Sequence, residues 1–191
     1  MASANVTTLR REIVSSESES LILVDELDNE VGFETKGRCH DGDGLLHRAF
    51  SLFVINSKNE VLLQQRSADK RLWPMFWSNS CCSHPRQGES LAYAAERRLY
   101  EELGLTCSFE FLYKFQYQAP FGELGSENEL CSVFLGRTDN LPSVNETEIA
   151  AYRYLSPDAL SAELETHPER FTPWFKLEWP QVLAAIDAAV V

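Results

Sequence analysis

The sequence lacks three features that would place it in familiar classes of protein. No apolar run approaches the ~20 residues that a membrane-spanning helix needs. Basic residues number only 17 against 29 acidic ones, and the net charge of −12 argues against nucleic acid or an anionic membrane as a partner. The first residues form neither a signal peptide nor a transit peptide, so we expect a cytoplasmic protein.

The number of cysteines is informative. The 191 residues contain five cysteines, an odd number that a disulfide framework would leave incompletely paired. Without a secretory signal we expect reduced thiols, and we expect Cys107 and Cys131 to be buried small hydrophobic residues. Hydrophobic residues make up 44% of the chain and charged residues 24%, which is ordinary for a globular protein.

The apolar pattern predicts alternating strands and helices. Leu91, Ala95, Leu99 and Leu103 recur every four residues, as on one face of a helix that Gly104 would end. Strands are predicted at residues 21–24, 49–56, 61–66, 106–118, 130–135 and 150–155, and further helices at 159–165 and 179–189. This order predicts a mixed α/β (α+β) fold, with a central sheet flanked by helices.

In two stretches near the start of the chain, the apolar residues do not recur with the period of a helix or of a strand. Residues 1–18 are polar and predict a loose N-terminal arm, which leaves residues 19–191 as a single domain. Residues 36–44 are predicted to form a loop.

Histidines and carboxylates suggest a metal site. Three of only four histidines, His40, His47 and His84, fall in predicted loops or at strand starts near a thiol-containing loop. Glu127 and Glu129 would point to one face of an extended chain. They could form a solvated acidic edge, or they could join the imidazoles around zinc or manganese.

The segment from residue 78 to residue 104 combines a thiol-containing loop with the predicted helix. Cys81, Cys82 and His84 precede this helix, and Arg98 and Glu102 lie one turn apart on it. Such ion pairs are typical of an ordinary surface helix, but they do not explain the preceding loop.

The same segment resembles a degenerate Nudix box. That motif is Gly-x5-Glu-x7-Arg-Glu-U-x-Glu-Glu-x-Gly-U, where U is apolar. The matching residues here are Ser83-x5-Glu89-x7-Arg97-Arg98-Leu99-x-Glu101-Glu102-x-Gly104-Leu105. Ser83 replaces the first glycine, and Arg98 replaces a glutamate that helps Nudix hydrolases to bind magnesium, which argues against hydrolysis.

Further motifs resemble the type I isopentenyl-diphosphate isomerases, a branch of the Nudix superfamily that does not hydrolyse its substrate. The resemblance extends from Lys36 to Trp174. Its motifs are His40-x6-His47, Arg66-x3-Lys70, Trp73-Pro74, Trp77-x-Asn79-x2-Cys82-x-His84-Pro85, Tyr117, Glu127-Asn128-Glu129 and Phe171-Thr172-Pro173-Trp174. The resemblance implies a Nudix-like fold and conversion of isopentenyl diphosphate into dimethylallyl diphosphate.

The resemblance also implies catalytic residues. Cys82 and Glu129 would stand on opposite faces of the substrate as acid and base, in either order, and Tyr117 would assist Glu129. Trp174 would stabilise a tertiary carbocation with its π-face. Cys81 is the competing thiol, but only Cys82 has the motif's spacing to His84.

Two ions and a set of cations complete the implied site. One divalent ion, manganese, zinc or magnesium, would be bound by His40, His47, His84, Glu127 and Glu129. A second ion, magnesium, would bridge Glu102 and the diphosphate. Lys36, Arg66, Lys70 and Arg98 would bind the phosphate oxygens.

Two other functions are compatible with parts of the pattern. A Nudix hydrolase of a nucleoside diphosphate derivative would require the missing glutamate and gives no role to Cys82. A non-catalytic metal-binding module would require neither Tyr117 nor Trp174 beside the metal. The isomerase uses all of these residues, and we expect it to act as a monomer on a small diphosphate, without nucleic acid or membrane partners.

Overall fold

The computed structural model describes residues 11–188, which contain nine strands and four α-helices. The strands are β1 (Ser20–Val24), β2 (Glu30–Thr35), β3 (His47–Ile55), β4 (Val61–Arg66), β5 (Trp77–Ser78), β6 (Cys81–Ser83), β7 (Phe109–Pro120), β8 (Ser126–Arg137) and β9 (Ile149–Leu155). The helices are α1 (Lys36–Cys39), α2 (Leu91–Leu103), α3 (Pro157–Thr166) and α4 (Pro173–Ala188). The predicted mixed α/β fold with a central sheet is confirmed.

All nine strands belong to one mixed sheet centred on β3. This strand pairs antiparallel with β1, β4 and β6, and parallel with β8 along its whole length. The long hairpin of β7 and β8 therefore lies beside the centre of the sheet. The register places His47, the first residue of β3, opposite Glu129.

Both faces of the sheet are buried, and β3 contributes alternate residues to each. Ala49 and Phe53 pack in the core that contains α4, whereas Phe50 and Leu52 pack in the core that contains α2. This period of two follows from strand geometry, since neighbouring side chains point to opposite faces. Because a hydrophobic core packs against each face of the sheet, the central strands consist almost entirely of apolar residues.

The central helix follows its sequence pattern closely. The Ser90 side chain accepts a hydrogen bond from the Tyr93 backbone N–H and caps α2. Gly104 ends α2 in the left-handed conformation, with φ of 65°. Leu99 and Leu103 are fully buried against the sheet. The predicted helix, its apolar face and its glycine cap are confirmed.

Two predictions of local structure are wrong. Residues 36–39 form the short helix α1 instead of a loop. The last helix begins at Pro173, earlier than the predicted residue 179, because proline fits a first helical turn and Trp174 and Phe175 pack into the core. Its predicted final residue, 189, lies outside the described residues.

The predicted N-terminal arm is only partly described, since residues 1–10 lie outside the described residues. Further along, the Glu12 carbonyl accepts a hydrogen bond of 2.7 Å from Asn145 Nδ2. The Val14 carbonyl accepts one of 2.7 Å from Arg98 Nη1. Within residues 11–188, no helix has both the length and the apolar character needed to cross a membrane.

Candidate active site

Five side chains from different elements form one compact cluster of possible metal ligands. Their ligand atoms all lie within 4.8 Å of one another, and all five residues are buried. His40 ends α1, His47 begins β3, His84 follows β6, and Glu127 and Glu129 lie on one face of β8. Burial of both glutamates excludes the alternative of a solvated acidic edge.

Hydrogen bonds orient the imidazoles of this cluster. The Nδ1 atoms of His40 and His47 each lie 2.7 Å from a backbone carbonyl oxygen, so both can donate there and leave Nε2 free. His40 Nε2 lies 2.8 Å from Glu127 Oε2, and His84 Nε2 lies 2.8 Å from Glu129 Oε1. His47 Nε2 is buried and has no hydrogen-bond partner among the described residues. An orphaned nitrogen beside two carboxylates fits a divalent metal ion.

Burial controls the protonation of the cluster. It lowers the pKa of His47 to about 4 and the pKa of His84 well below its usual value, assisted by the charge of His40. Burial and the Glu127 charge raise the pKa of Glu129 well above its usual value. At Glu127 burial opposes ionisation, but the neighbouring His40 outweighs it and the pKa falls. The neutral imidazoles of His47 and His84 and the ionised Glu127 are in the form that binds metals, whereas Glu129 would lose its proton on binding a metal.

A cavity beside this cluster is lined by most of the predicted site residues. The lining includes Lys36, His40, Arg66, Lys70, Cys82, His84, Arg98, Tyr117, Glu127, Glu129 and Trp174. The other two predicted residues, His47 and Glu102, are buried and do not line it.

The predicted acid–base groups lie in the cavity wall with defined partners. Tyr117 Oη donates a 2.6 Å hydrogen bond to Glu129 Oε2. Trp174 Nε1 lies 3.1 Å from Cys82 Sγ, and Cys82 Sγ lies 2.7 Å from Asn79 Oδ1. Burial raises the pKa of Cys82 well above its usual value, so the group is a protonated thiol. The same cavity is therefore lined by a thiol and by a carboxyl group.

Buried ion pairs hold cationic side chains of the cavity in place. Arg98 Nη2 lies 2.5 Å from Glu102 Oε1 and 3.1 Å from Glu148 Oε2, and Lys70 also pairs with Glu148. Arg98 and Glu102 are therefore not a solvated surface pair, as an ordinary helix would have. Arg66 donates to the backbone carbonyl oxygens of Leu72 and Trp73.

No sequence pattern predicts a role for several polar residues of the site. Arg71 and Glu17 line the cavity, Glu148 pairs with two of its cations, and Asn79 and Ser51 contact the Cys82 thiol. Asn79 belongs to the motif around Cys82 and His84, but the resemblance implies no role for it. The others carry no local signal, because only the folded chain brings them to the site.

Comparisons with known proteins agree with this geometry. Residues 45–175 match the family model of the NUDIX domain. The chain is 47% identical over 167 residues to isopentenyl-diphosphate delta-isomerase 1 of Photorhabdus laumondii, covering 86% of this chain and 95% of that protein. It is 40% identical over 162 residues to the isopentenyl-diphosphate delta-isomerase of Pectobacterium atrosepticum, covering 85% and 90%.

Solved structures support the same fold. DR0079 from Deinococcus radiodurans superposes with a TM-score of 0.65 at 25% identity, covering 78% of this chain and 90% of that one. The MutT protein from Methanosarcina mazei, at 18% identity, has a TM-score of 0.60 and covers 75% and 94%. The family model and the curated relatives show that this chain belongs to the NUDIX family, in its isopentenyl-diphosphate delta-isomerase branch.

Proposed function

We propose that this protein interconverts isopentenyl diphosphate and dimethylallyl diphosphate. The observation that carries the proposal is the placement of the Cys82 thiol and the Glu129–Tyr117 pair in the wall of one cavity, beside buried cations. The reaction adds a proton at one carbon of an alkene and removes another two carbons away. A thiol and a carboxyl group in one enclosed site are the acid and base that this needs.

The chain's own residues would perform each part of the reaction. Cys82 and Glu129 exchange protons with the substrate, in either order, and Tyr117 holds the Glu129 carboxyl group. The Trp174 ring offers a π-face to the cationic intermediate and does not react with it. Leu72, Tyr117 and Trp174 form the apolar part of the lining, where keeping water away from the alkene would protect the carbocation from being trapped.

We assign the diphosphate to the cationic side chains of the cavity. Lys36, Arg66, Lys70 and Arg98 line the cavity and are available to its phosphate oxygens. Substrate would then compete with Glu148 for Lys70 and Arg98. The missing Nudix glutamate is explained in the same way, because Arg98 occupies its position and would bind the diphosphate without promoting hydrolysis.

We propose two divalent ions as cofactors. Manganese, zinc or magnesium would be bound by His40, His47, His84, Glu127 and Glu129, and would set the acidity of Glu129. Glu102 would hold magnesium, which would neutralise charge on the diphosphate; because Glu102 is buried against Arg98 and does not line the cavity, it would have to exchange part of that pairing. We further propose a cytoplasmic monomer with one catalytic domain, from residue 19 to residue 191.

The decisive experiment is incubation of the purified protein with isopentenyl diphosphate and magnesium in deuterated water. Proton NMR would follow the products alongside an assay of released phosphate. We expect dimethylallyl diphosphate that carries deuterium, without phosphate release. Released phosphate would support a Nudix hydrolase instead, and unchanged substrate with tightly bound metal would support a non-catalytic module.

A further inference from the structure

Residues 14–17, a short segment before β1 that we call the strap, contact two cations of the cavity. The Val14 carbonyl oxygen accepts a hydrogen bond of 2.7 Å from Arg98 Nη1. The Ser15 hydroxyl oxygen accepts a hydrogen bond from Lys36 Nζ. Both cations line the cavity and belong to the set that we assign to the diphosphate.

Glu17 brings the strap into the cavity itself. It is one of the lining residues, and its Oε2 atom lies 3.8 Å from Nη1 of Arg71, another cation of the lining. The Glu17 carbonyl oxygen accepts a 2.9 Å hydrogen bond from the backbone N–H of Gly37 in α1. The strap therefore places a carbonyl oxygen, a hydroxyl group and a carboxylate beside three cations that line one cavity.

Polar contacts, and not apolar packing, hold the strap in place. Within residues 11–19, positions 14, 15 and 19 are partly buried, the others are exposed, and none is fully buried. The Val14 carbonyl oxygen accepts a second hydrogen bond, of 3.2 Å, from Arg86 Nη2, which also lies 2.6 Å from Glu19 Oε1. A segment held by a few half-exposed hydrogen bonds opens at a low cost in free energy.

We propose that the strap competes with the diphosphate for Lys36 and Arg98, and that it leaves these cations when substrate binds. The inference rests on the proposed function in so far as the cavity receives a diphosphate. Hydrogen bonds from a cation to charged phosphate oxygens are stronger than those to the neutral oxygens of Val14 and Ser15, so the exchange favours the diphosphate. The fraction of molecules with the strap in place lowers the apparent affinity for that ligand, which makes the strap an autoinhibitory contact.

A disulfide between positions 17 and 37 would lock the strap in place. A Cβ atom built on Gly37 would lie 3.6 Å from Glu17 Cβ, within the ~3.5–4.5 Å that a disulfide requires. We expect the oxidised Glu17→Cys/Gly37→Cys variant to bind inorganic pyrophosphate at least about tenfold more weakly than its reduced form. Calorimetric titration would measure both forms, and wild type taken through the same oxidation controls for the native cysteines.

Loosening the strap should have the opposite effect. Ser15→Ala removes the hydroxyl group that contacts Lys36, and Arg86→Gln removes a contact to the strap from a residue outside the cavity lining. We expect each variant to bind pyrophosphate about threefold more tightly or better, the usual net contribution of one hydrogen bond. Loss of the Arg86 charge alone would weaken anion binding, so the expected direction is diagnostic. Ser18→Ala is the matched control, because Ser18 is exposed and does not line the cavity, and it should bind pyrophosphate like wild type.

The outcomes separate the strap from the isomerase proposal. Equal affinities of the oxidised and reduced forms would overturn the strap, and so would unchanged or weaker binding in both Ser15→Ala and Arg86→Gln. If the disulfide does not form, these two variants decide. The titrations need no turnover, so an inactive wild type with the expected affinities would overturn the isomerase proposal alone. A wild type that neither converts isopentenyl diphosphate nor binds pyrophosphate would overturn both.

Discussion

Two adjacent thiols acquire different environments from a single strand. Cys81 and Cys82 both lie in β6, where consecutive side chains point to opposite faces of the sheet. Cys81 is fully buried in the core with α2, whereas Cys82 lines the cavity. The motif spacing that favours Cys82 in the sequence therefore agrees with the face that the strand gives it.

At the residue scale, this alternation predicts opposite outcomes for two matched variants. Cys82→Ala should lower the rate of isomerisation by about 10²- to 10⁴-fold, the usual contribution of an acid–base group, with folding and metal content unchanged. Cys81→Ala should keep its activity and lose about 1 kcal/mol of stability by leaving a small cavity. Isomerase assays and urea unfolding would measure both, and near-normal turnover in Cys82→Ala would remove the thiol from the mechanism.

The hairpin turn between β7 and β8 shows how one element positions another. The His40 carbonyl oxygen, at the end of α1, accepts a 3.0 Å hydrogen bond from the Ser126 backbone N–H. Gly125 has φ of 146°, and a Cβ atom there would lie 2.1 Å from that same oxygen. Only glycine permits this approach, so the turn fixes α1 and the His40 imidazole in the cluster.

At the element scale, Gly125→Ala should displace His40. We expect a loss of about 3 kcal/mol of stability and an affinity for divalent metal reduced by about tenfold or more. Gly122→Ala is the matched control in the same turn: its φ is 58°, but an added Cβ atom would meet nothing within 4 Å. It should cost about 1 kcal/mol and leave metal binding unchanged. Equal metal affinities in titrations with manganese or zinc would contradict this role of the turn.

On the scale of the whole molecule, the cations of the cavity contrast with the net charge. The protein has a net charge of −12, yet its cavity is lined by Lys36, Arg66, Lys70, Arg71 and Arg98. Local positive potential, and not net charge, determines where a small anion binds. The acidic surface and a diphosphate substrate are therefore compatible.

The way in which the stability of the folded protein changes with pH should also depend on the buried Glu178 carboxyl group. Its folded pKa of about 8 lies above the ordinary 4.5, so between these pH values the native protein holds a proton that the unfolded chain has lost. The stabilising contribution of this proton is fully present below pH 4.5 and is lost as the pH rises through 8.

Wild type should consequently lose stability relative to Glu178→Gln by about 1.4 kcal/mol for each pH unit across that window. Urea unfolding of both proteins at several pH values would measure the difference, and the comparison removes the contributions of groups that they share. Parallel stability curves would show that Glu178 titrates normally in the native state.

The sequence by itself determined the elements and the ligand types. Apolar spacing and caps specify α2, because helix formation depends on residues within a few positions of one another. Alternation specifies the central strands and the shared face of Glu127 and Glu129 in the same local way. Recognisable motifs supplied the residues of the cluster before their positions were known.

Only the tertiary structure decided which residues lie next to one another. The parallel pairing of β3 with β8 brings His47 to Glu129, and no local pattern encodes a pairing so distant in the chain. Folding likewise buries Arg98 between Glu102 and Glu148, and brings Glu178 Oε1 to 3.8 Å from Cys131 Sγ. Packing between residues far apart in the sequence determines the burial and the charge balance of these groups. It also determines the early start of α4.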